Sequence, residues 1–112
     1  MKYITTKKND NVLEIIFNRP PVNALNEELV EELQNTLYSV QKETDIRVVI
    51  LRSELPVFIA GADIKMMKEI QEKQQTRRML AYVKNLQETL TMLENLPIPT
   101  IAYINGHAMG GG

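Results

Sequence analysis

Residues 60–65 of this chain read Ala-Gly-Ala-Asp-Ile-Lys and come directly after an apolar run at residues 57–59. The small residues let another molecule approach the backbone closely, and Gly61 can adopt a positive φ without steric cost. Asp63 suits the N-cap of a following helix, because its carboxylate can accept hydrogen bonds from the first helical N–H groups. Free N–H groups at the positive end of a helix dipole favour a negatively charged ligand oxygen. The alternative interpretation is an ordinary tight turn between a strand and a helix.

Length and composition exclude several classes of protein. The chain has 112 residues and a formal net charge of −1, so it suits one small domain and has no general electrostatic reason to bind nucleic acid. It contains no cysteine, which excludes disulfides, thiolate metal ligands and cysteine nucleophiles. No run approaches the roughly 20 apolar residues of a membrane span, and no signal core is present. We therefore expect a cytoplasmic protein that does not enter a membrane.

Strand and helix patterns alternate along the chain, which predicts an α/β fold. Asn26 suits a helix N-cap, with Leu25 and Val30 placed for a hydrophobic staple. Residues 47–51 are apolar without alternation, as in a strand covered on both faces, and Ser53 would lie on the loop after it. The predicted strands are residues 3–7, 12–17, 47–51 and 100–104. The predicted helices are residues 27–42, a short one from near 63 to 72, and a longer one ending near 95 with Met79, Val83, Leu86, Leu90 and Leu93 as its apolar stripe.

Few side chains on this chain can carry out chemistry. His107 is the one histidine, so we expect no metal site and interpret His107 as a packed or supporting residue rather than a general base. Ser39 and Ser53 do not lie in a Gly-x-Ser-x-Gly elbow, which argues against a Ser–His hydrolase.

The glycine-rich end, residues 106–112, fits neither G-x-G-x-x-G nor a P-loop. It is either a backbone open to close approach or a loose end created by truncation, and because the chain stops on three glycines we expect a fragment. Residues 60–62 and 110–112 each follow an apolar strand and offer backbone N–H groups. If the strands are parallel neighbours, both turns can lie at one edge and form an oxyanion hole.

Two long segments and one loop carry a family resemblance. Residues 58–67, Phe-Ile-Ala-Gly-Ala-Asp-Ile-Lys-Met-Met, and residues 98–112, Ile-Pro-Thr-Ile-Ala-Tyr-Ile-Asn-Gly-His-Ala-Met-Gly-Gly-Gly, resemble the signature segments of the enoyl-CoA hydratase/isomerase (crotonase) family. Residues 19–25 resemble its N-terminal loop. The resemblance implies a crotonase-like spiral of stacked ββα units that acts on acyl-CoA thioesters, assembles as a trimer or a pair of trimers, and needs no permanently bound cofactor. Residues 1–112 would be the N-terminal part of one such domain, without its acid/base half and C-terminal helices.

The same resemblance implies roles for individual residues. The backbone N–H groups of Ala62 and Gly111 would form the oxyanion hole around the thioester oxygen. Asn23, Ala24 and Leu25 would border the nucleotide end, with the Ala60 backbone near the adenine and Lys65 near the pantetheine or phosphates. Lys65, Lys68 and Arg19 would either bind coenzyme phosphates or be solvated surface charges. The implied coenzyme-binding residues are Ala24, Ala60, Ala62, Asp63, Ile64, Lys65 and Gly111.

The family's hydratases carry a glutamate shortly after the triple glycine and a second one further on, and the chain stops at Gly112 before either position. We expect an enoyl-CoA hydratase, which adds water to trans-2-enoyl-CoA, because this is the commonest reaction of the family that the chain resembles. Because both glutamate positions are absent, we expect these 112 residues alone to be inactive. The open alternatives are another reaction of the family (isomerase, decarboxylase, thioester hydrolase or dehalogenase), a non-catalytic acyl-CoA-binding module, and a small α/β domain with accidental glycine turns.

Overall fold

A computed structural model describes residues 2–104 of the chain. Within that range the chain forms a four-stranded sheet with the strand order β1-β2-β3-β4 and three helices. The first two strands form an antiparallel hairpin, whereas β3 pairs in parallel with both β2 and β4. The elements are β1 (Ile4–Asn9), β2 (Val12–Phe17), α1 (Glu27–Lys42), β3 (Val48–Ser53), α2 (Ile64–Glu72), α3 (Thr76–Glu94) and β4 (Thr100–Ala102). The predicted α/β fold and the predicted order of elements are confirmed up to β4.

Helix α1 has the bounds and the N-cap that the sequence predicts. The side chain of Asn26 accepts a hydrogen bond from Leu29 N–H at 2.9 Å, and Glu27 and Glu28 lie in the first turn. Acidic residues there interact favourably with the helix dipole. The apolar residues of α1 recur at helical spacing and belong to one core with residues of β2 and β3. Burial of this stripe holds α1 against the sheet.

The inner face of α3 differs in part from the one that the apolar pattern predicts. Tyr82 and Thr89 are buried, whereas Val83 and Leu90 are each 40% exposed. The two polar side chains are tolerated inside because each hydroxyl is hydrogen-bonded: Tyr82 to the Leu25 carbonyl and Thr89 to the Asn85 carbonyl. Hydrophobicity alone therefore predicted the length of α3 and the core contacts of Met79, Leu86 and Leu93 correctly, and it was wrong for Val83 and Leu90.

The strands also depart from the predictions at their ends. Ser53 is the last residue of β3 and is buried, so placing it on a loop was wrong. Burial alternates along β3, and the core contains Val49 and Leu51 but not Ile50. Within the described residues 2–104, β3 is therefore not fully covered on both faces, and the prediction that it would be is wrong. β4 ends at Ala102 rather than at residue 104, and the predicted glycine turn after it lies outside the described residues.

Candidate functional site

The candidate site is built where the loop after β2 meets the turn before α2. A parallel bridge pairs Leu25 with Ala62. Leu25 N–H donates to the Gly61 carbonyl at 2.7 Å, and Asp63 N–H donates to the Leu25 carbonyl at 3.2 Å. Ala60 N–H donates to the Val22 carbonyl at 3.0 Å, which extends the pairing by one more bond. These bonds hold the turn in one orientation against the preceding loop.

Ala62 N–H is directed away from this pairing. The neighbours of Ala62, Gly61 and Asp63, supply the two groups that bond to Leu25. In a parallel ladder the residue between two such partners points its own N–H and C=O to the opposite side. Among residues 2–104 no acceptor is bonded to Ala62 N–H, and Ala62 is only partly buried. The group predicted as an oxyanion donor is therefore one that the local fold leaves available.

The turn has both features that the sequence predicts, a positive φ at Gly61 and a helix N-cap at Asp63. Gly61 has a φ of 103°, a conformation that glycine adopts without the steric cost of a Cβ atom. Asp63 is the N-cap of α2, and its Oδ1 accepts from Met66 N–H at 3.1 Å. Ala62 thus lies directly before the positive end of a nine-residue helix.

The buried side chain of Asn23 stabilises the candidate site through hydrogen bonds. Its side chain is fully buried and donates to the Ser53 hydroxyl at 2.7 Å and to the Phe58 carbonyl at 2.8 Å. Its Oδ1 accepts from Arg19 N–H at 2.7 Å, and its φ of 55° lies in the left-handed region that Asn tolerates better than most residues. The Asn23 side chain is therefore committed to protein groups, and it ties the loop to the segment that leads into the turn.

Arg19 lies among protein partners rather than free at the surface. Its Nη1 is 3.0 Å from Asp63 Oδ2 and donates to the Ala24 carbonyl at 3.0 Å. The guanidinium also lies 5.5 Å from the centroid of the Tyr3 ring. The interpretation of Arg19 as a solvated charge is therefore wrong, because its polar contacts join the two segments that pair at the site, whereas its role as a phosphate ligand stays a prediction.

Tyr82 is a residue of this site that sequence reasoning missed. Its hydroxyl donates to the Leu25 carbonyl at 2.5 Å, across 57 positions of the chain. Burial raises the pKa of the Tyr82 hydroxyl, and the charge of Asp63 raises it further. The only signal in the sequence was a tyrosine next to the apolar positions of a helix, and that does not reveal which carbonyl it reaches.

The other predicted site residues lie around this turn with unequal exposure. Ala24 and Ala60 are partly buried, whereas Ile64 is 78% exposed and Lys65 and Lys68 are exposed. Asp63 is buried. Its carboxylate accepts a hydrogen bond from Met66 N–H at the helix cap and forms an ion pair with Arg19. Gly111, the second predicted oxyanion donor, and His107 lie outside the described residues. The convergence of the two glycine turns therefore stays a prediction.

A groove of about 1010 Å³ opens beside the turn, between α2 and α3. It is lined by the apolar side chains of Ile64, Met67, Ile70 and Met79 and by polar side chains such as that of Lys68. The lining starts at Ile64, two residues after Ala62. Residues 60–63 do not line the groove, so Ile64 is its connection to the turn.

Neither a metal cluster nor a membrane helix is found in the described range. Residues 2–104 contain no group of three or more His, Cys, Asp or Glu side chains that could hold a metal ion. None of the helices there combines the length and the apolarity that a membrane crossing requires.

Comparison with known proteins gives a consistent result. A family profile described as enoyl-CoA hydratase/isomerase matches residues 7–112. The chain is 38% identical over 106 residues to the probable enoyl-CoA hydratase 2, mitochondrial, of Arabidopsis thaliana, which covers 93% of this chain and 34% of that protein. It is 39% identical over 109 residues to the putative enoyl-CoA hydratase/isomerase YngF of Bacillus subtilis, with 96% of this chain and 40% of that protein covered.

Solved structures agree with the sequence relatives. The crystal structure of enoyl-CoA hydratase from Bacillus anthracis superposes with a TM-score of 0.88 at 38% identity and covers 99% of this chain and 43% of that one. The crotonase-like fold is therefore confirmed. The chain spans less than half the length of each of these relatives.

Proposed function

The chain belongs to the enoyl-CoA hydratase/isomerase family, and from that premise we propose that the protein is an enoyl-CoA hydratase, which adds water to trans-2-enoyl-CoA thioesters. The observation that carries the proposal is the Ala62 N–H, which is directed away from the Leu25 pairing and has no acceptor among residues 2–104. A backbone amide in this state is ready to donate to a substrate oxygen.

The proposed chemistry uses that amide on the thioester carbonyl. Addition of water to the conjugated double bond moves negative charge onto the thioester oxygen in an enolate-like transition state. A fixed N–H donor stabilises this charge more than it stabilises the neutral substrate, and this difference lowers the barrier. Gly111 N–H is the proposed second donor, and the helix dipole of α2 adds a positive potential at the same place.

The proposed substrate contacts follow from exposure around the turn. Ala24, Ala60, Ile64 and Lys65 would line the path of the coenzyme, because all four are at least partly exposed beside the bridge. Of the candidate phosphate ligands, Lys65 and Lys68 have exposed side chains, whereas Arg19 is engaged by Asp63. The groove that starts at Ile64 offers an apolar place for the acyl chain. Coenzyme A arrives as part of the substrate, so no permanently bound cofactor is proposed.

The acid and base that move the proton and the water are proposed to lie outside these 112 residues. The family's hydratases use glutamates beyond the triple glycine, and these 112 residues alone are expected to be inactive. We also propose that the protein at its natural length forms a homotrimer or a dimer of trimers, and that it is located in the cytoplasm. The Arabidopsis relative is named as mitochondrial.

The test is an assay of crotonyl-CoA hydration by the protein purified at its natural length, followed by loss of the conjugated thioester absorbance and by mass analysis of the product. Ala62→Pro removes the N–H and is expected to lower kcat by about 10²- to 10³-fold. Ala62→Gly keeps the N–H and serves as the matched control, with a change of only a few-fold.

Other outcomes identify the alternatives. A product other than the hydrated thioester assigns a different reaction of the family. Calorimetric binding of acyl-CoA without turnover indicates a non-catalytic binding module. Wild-type kcat in a folded Ala62→Pro variant, with circular dichroism and unfolding temperature unchanged, refutes the role of this amide.

A further inference from the structure

The phenol of Tyr82 reaches from α3 to the backbone of the candidate site. Only 3% of Tyr82 is exposed, and its hydroxyl donates to the Leu25 carbonyl at 2.5 Å. Among the helices and strands, α3 packs on α1 and α2. This hydrogen bond is therefore a direct connection between a distant helix and the strand-like pairing at the turn.

Leu25 acts as the template for the turn through both of its backbone groups. Its N–H bonds to the Gly61 carbonyl at 2.7 Å, and its carbonyl accepts from Asp63 N–H at the longer distance of 3.2 Å. The same carbonyl is the acceptor for Tyr82. Without the hydroxyl, the carbonyl would keep only the longer bond, and the orientation of the peptide would be defined less tightly.

The direction of Ala62 N–H depends on this pairing, because Ala62 is held between the two residues that bond to Leu25. We propose that Tyr82 is a positioning residue, which orients the Leu25 carbonyl and through it the Ala62 amide at the substrate oxygen. This inference rests on the proposed function. Since small displacements of a catalytic donor weaken its bond in the transition state, the effect falls on kcat.

The buried setting keeps the hydroxyl in its donor form. Burial raises the pKa of Tyr82, and the carboxylate of Asp63 raises it further. The hydroxyl therefore retains its proton throughout the neutral range and serves as a permanent donor to the Leu25 carbonyl.

The experiment compares Tyr82→Phe with Tyr38→Phe in the protein at its natural length. Tyr38 is a matched control because it is a tyrosine on α1 that is 49% exposed and far from the turn in its contacts. With crotonyl-CoA as substrate, Tyr82→Phe is expected to show a roughly tenfold lower kcat with KM changed by less than about twofold. A lower kcat at constant KM is not what loss of substrate affinity produces, and referring kcat to the folded fraction measured by circular dichroism separates it from loss of folded protein.

A second readout does not depend on activity. Hydrogen–deuterium exchange, measured by mass spectrometry on peptides that span residues 59–66, is expected to be about fivefold faster or more in Tyr82→Phe, because the amide of Asp63 loses a rigid acceptor. Peptides from β2 should exchange as in the wild type, which distinguishes a local effect from global unfolding.

Each outcome decides the inference. Exchange at residues 59–66 that equals that of Tyr38→Phe overturns it, and so does an unchanged kcat in an active protein. If the wild type shows no turnover, the proposed function fails by itself, while the exchange comparison still decides whether Tyr82 orders the turn.

Discussion

Arg19 and Asp63 form an ion pair in which Nη1 of the guanidinium lies 3.0 Å from Oδ2 of the carboxylate. Their side chains are 22% and 12% exposed, so the pair is largely withdrawn from solvent. Through its second oxygen Asp63 also caps α2, and through the same Nη1 Arg19 holds the Ala24 carbonyl. One carboxylate and one guanidinium thus join the loop after β2 to the helix that follows the candidate amide.

Substitution of Asp63 should separate its two roles. Asp63→Ala removes both the cap and the ion pair, and we expect the free energy of unfolding to fall by about 2–3 kcal/mol. Asp63→Asn keeps a capping oxygen and removes the charge, so the expected loss is about half as large. Urea denaturation measures both changes.

Glu69→Gln is the matched control for Asp63, because Glu69 forms an exposed ion pair with Lys73 on α2. Exposed pairs contribute little to stability, so this variant should unfold close to the wild-type urea midpoint. Equal losses for Asp63→Asn and Asp63→Ala would contradict a contribution from the cap.

Asn23 should be intolerant of truncation. Asn23→Ala removes the buried hydrogen bonds to Ser53 and Phe58 and leaves a residue with a Cβ atom at a φ of 55°. We expect a loss of about 3 kcal/mol or more in the free energy of unfolding. Asn23→Gly loses the same bonds but accepts the positive φ, and it should be the more stable of the two variants. If Asn23→Ala were the more stable, the backbone conformation would not be what selects asparagine.

Gly61 should resist replacement for a steric reason. Its φ of 103° is unfavourable for any residue with a Cβ atom, and Gly61 is buried. Gly61→Ala is therefore expected to lower the free energy of unfolding by about 1–3 kcal/mol, measured by thermal or urea unfolding. Ala62→Gly, at the neighbouring position, is the control and should cost clearly less. A Gly61→Ala variant as stable as the wild type would mean that the turn can relax without strain.

Stability at high pH should depend on Tyr82. Because the folded state raises the pKa of Tyr82, the folded protein binds this proton more tightly than the unfolded chain does. The resulting stabilisation is complete below a pH of about 10, where the unfolded chain also keeps the proton, and it is lost as the pH rises through the folded pKa. Urea denaturation between about pH 9 and pH 11 should show a steeper fall for the wild type than for Tyr82→Phe.

Tyr38→Phe is again the control, because Tyr38 is 49% exposed and its replacement leaves the Tyr82 hydrogen bond in place. Parallel curves for the wild type and Tyr82→Phe would contradict a raised pKa at Tyr82.

Local patterns predicted the elements of this fold well. Apolar spacing and the Asn26 cap predicted α1 at its observed bounds, and Asp63 was identified correctly as the cap of α2. These features depend on residues within one helical turn of each other, so a single stretch of sequence contains the information. The positive φ of Gly61 was indicated for the same reason.

Contacts between distant segments were not predictable in this way. On α3, Tyr82 is buried whereas Val83 and Leu90 are each 40% exposed, and the Tyr82 hydroxyl bonds to the Leu25 carbonyl, 57 positions away along the chain. Arg19 was considered as a solvated surface charge, although it pairs with Asp63, 44 positions along the chain. Hydropathy measures the free energy of transferring a side chain from water to an apolar medium. It does not specify which polar groups form hydrogen bonds or ion pairs with each other.

The sequence by itself determined the class of fold and the position of the small-residue turn, since apolar spacing, short-range sterics and capping specify these, and the family resemblance alone singled out Ala62 as the candidate amide. Only the tertiary structure decided that this amide is directed away from its pairing, and that Leu25, Arg19 and Tyr82 hold it there. The physical reason is that the direction of an N–H group is set by the hydrogen bonds of its neighbours, and here those partners come from a different part of the chain.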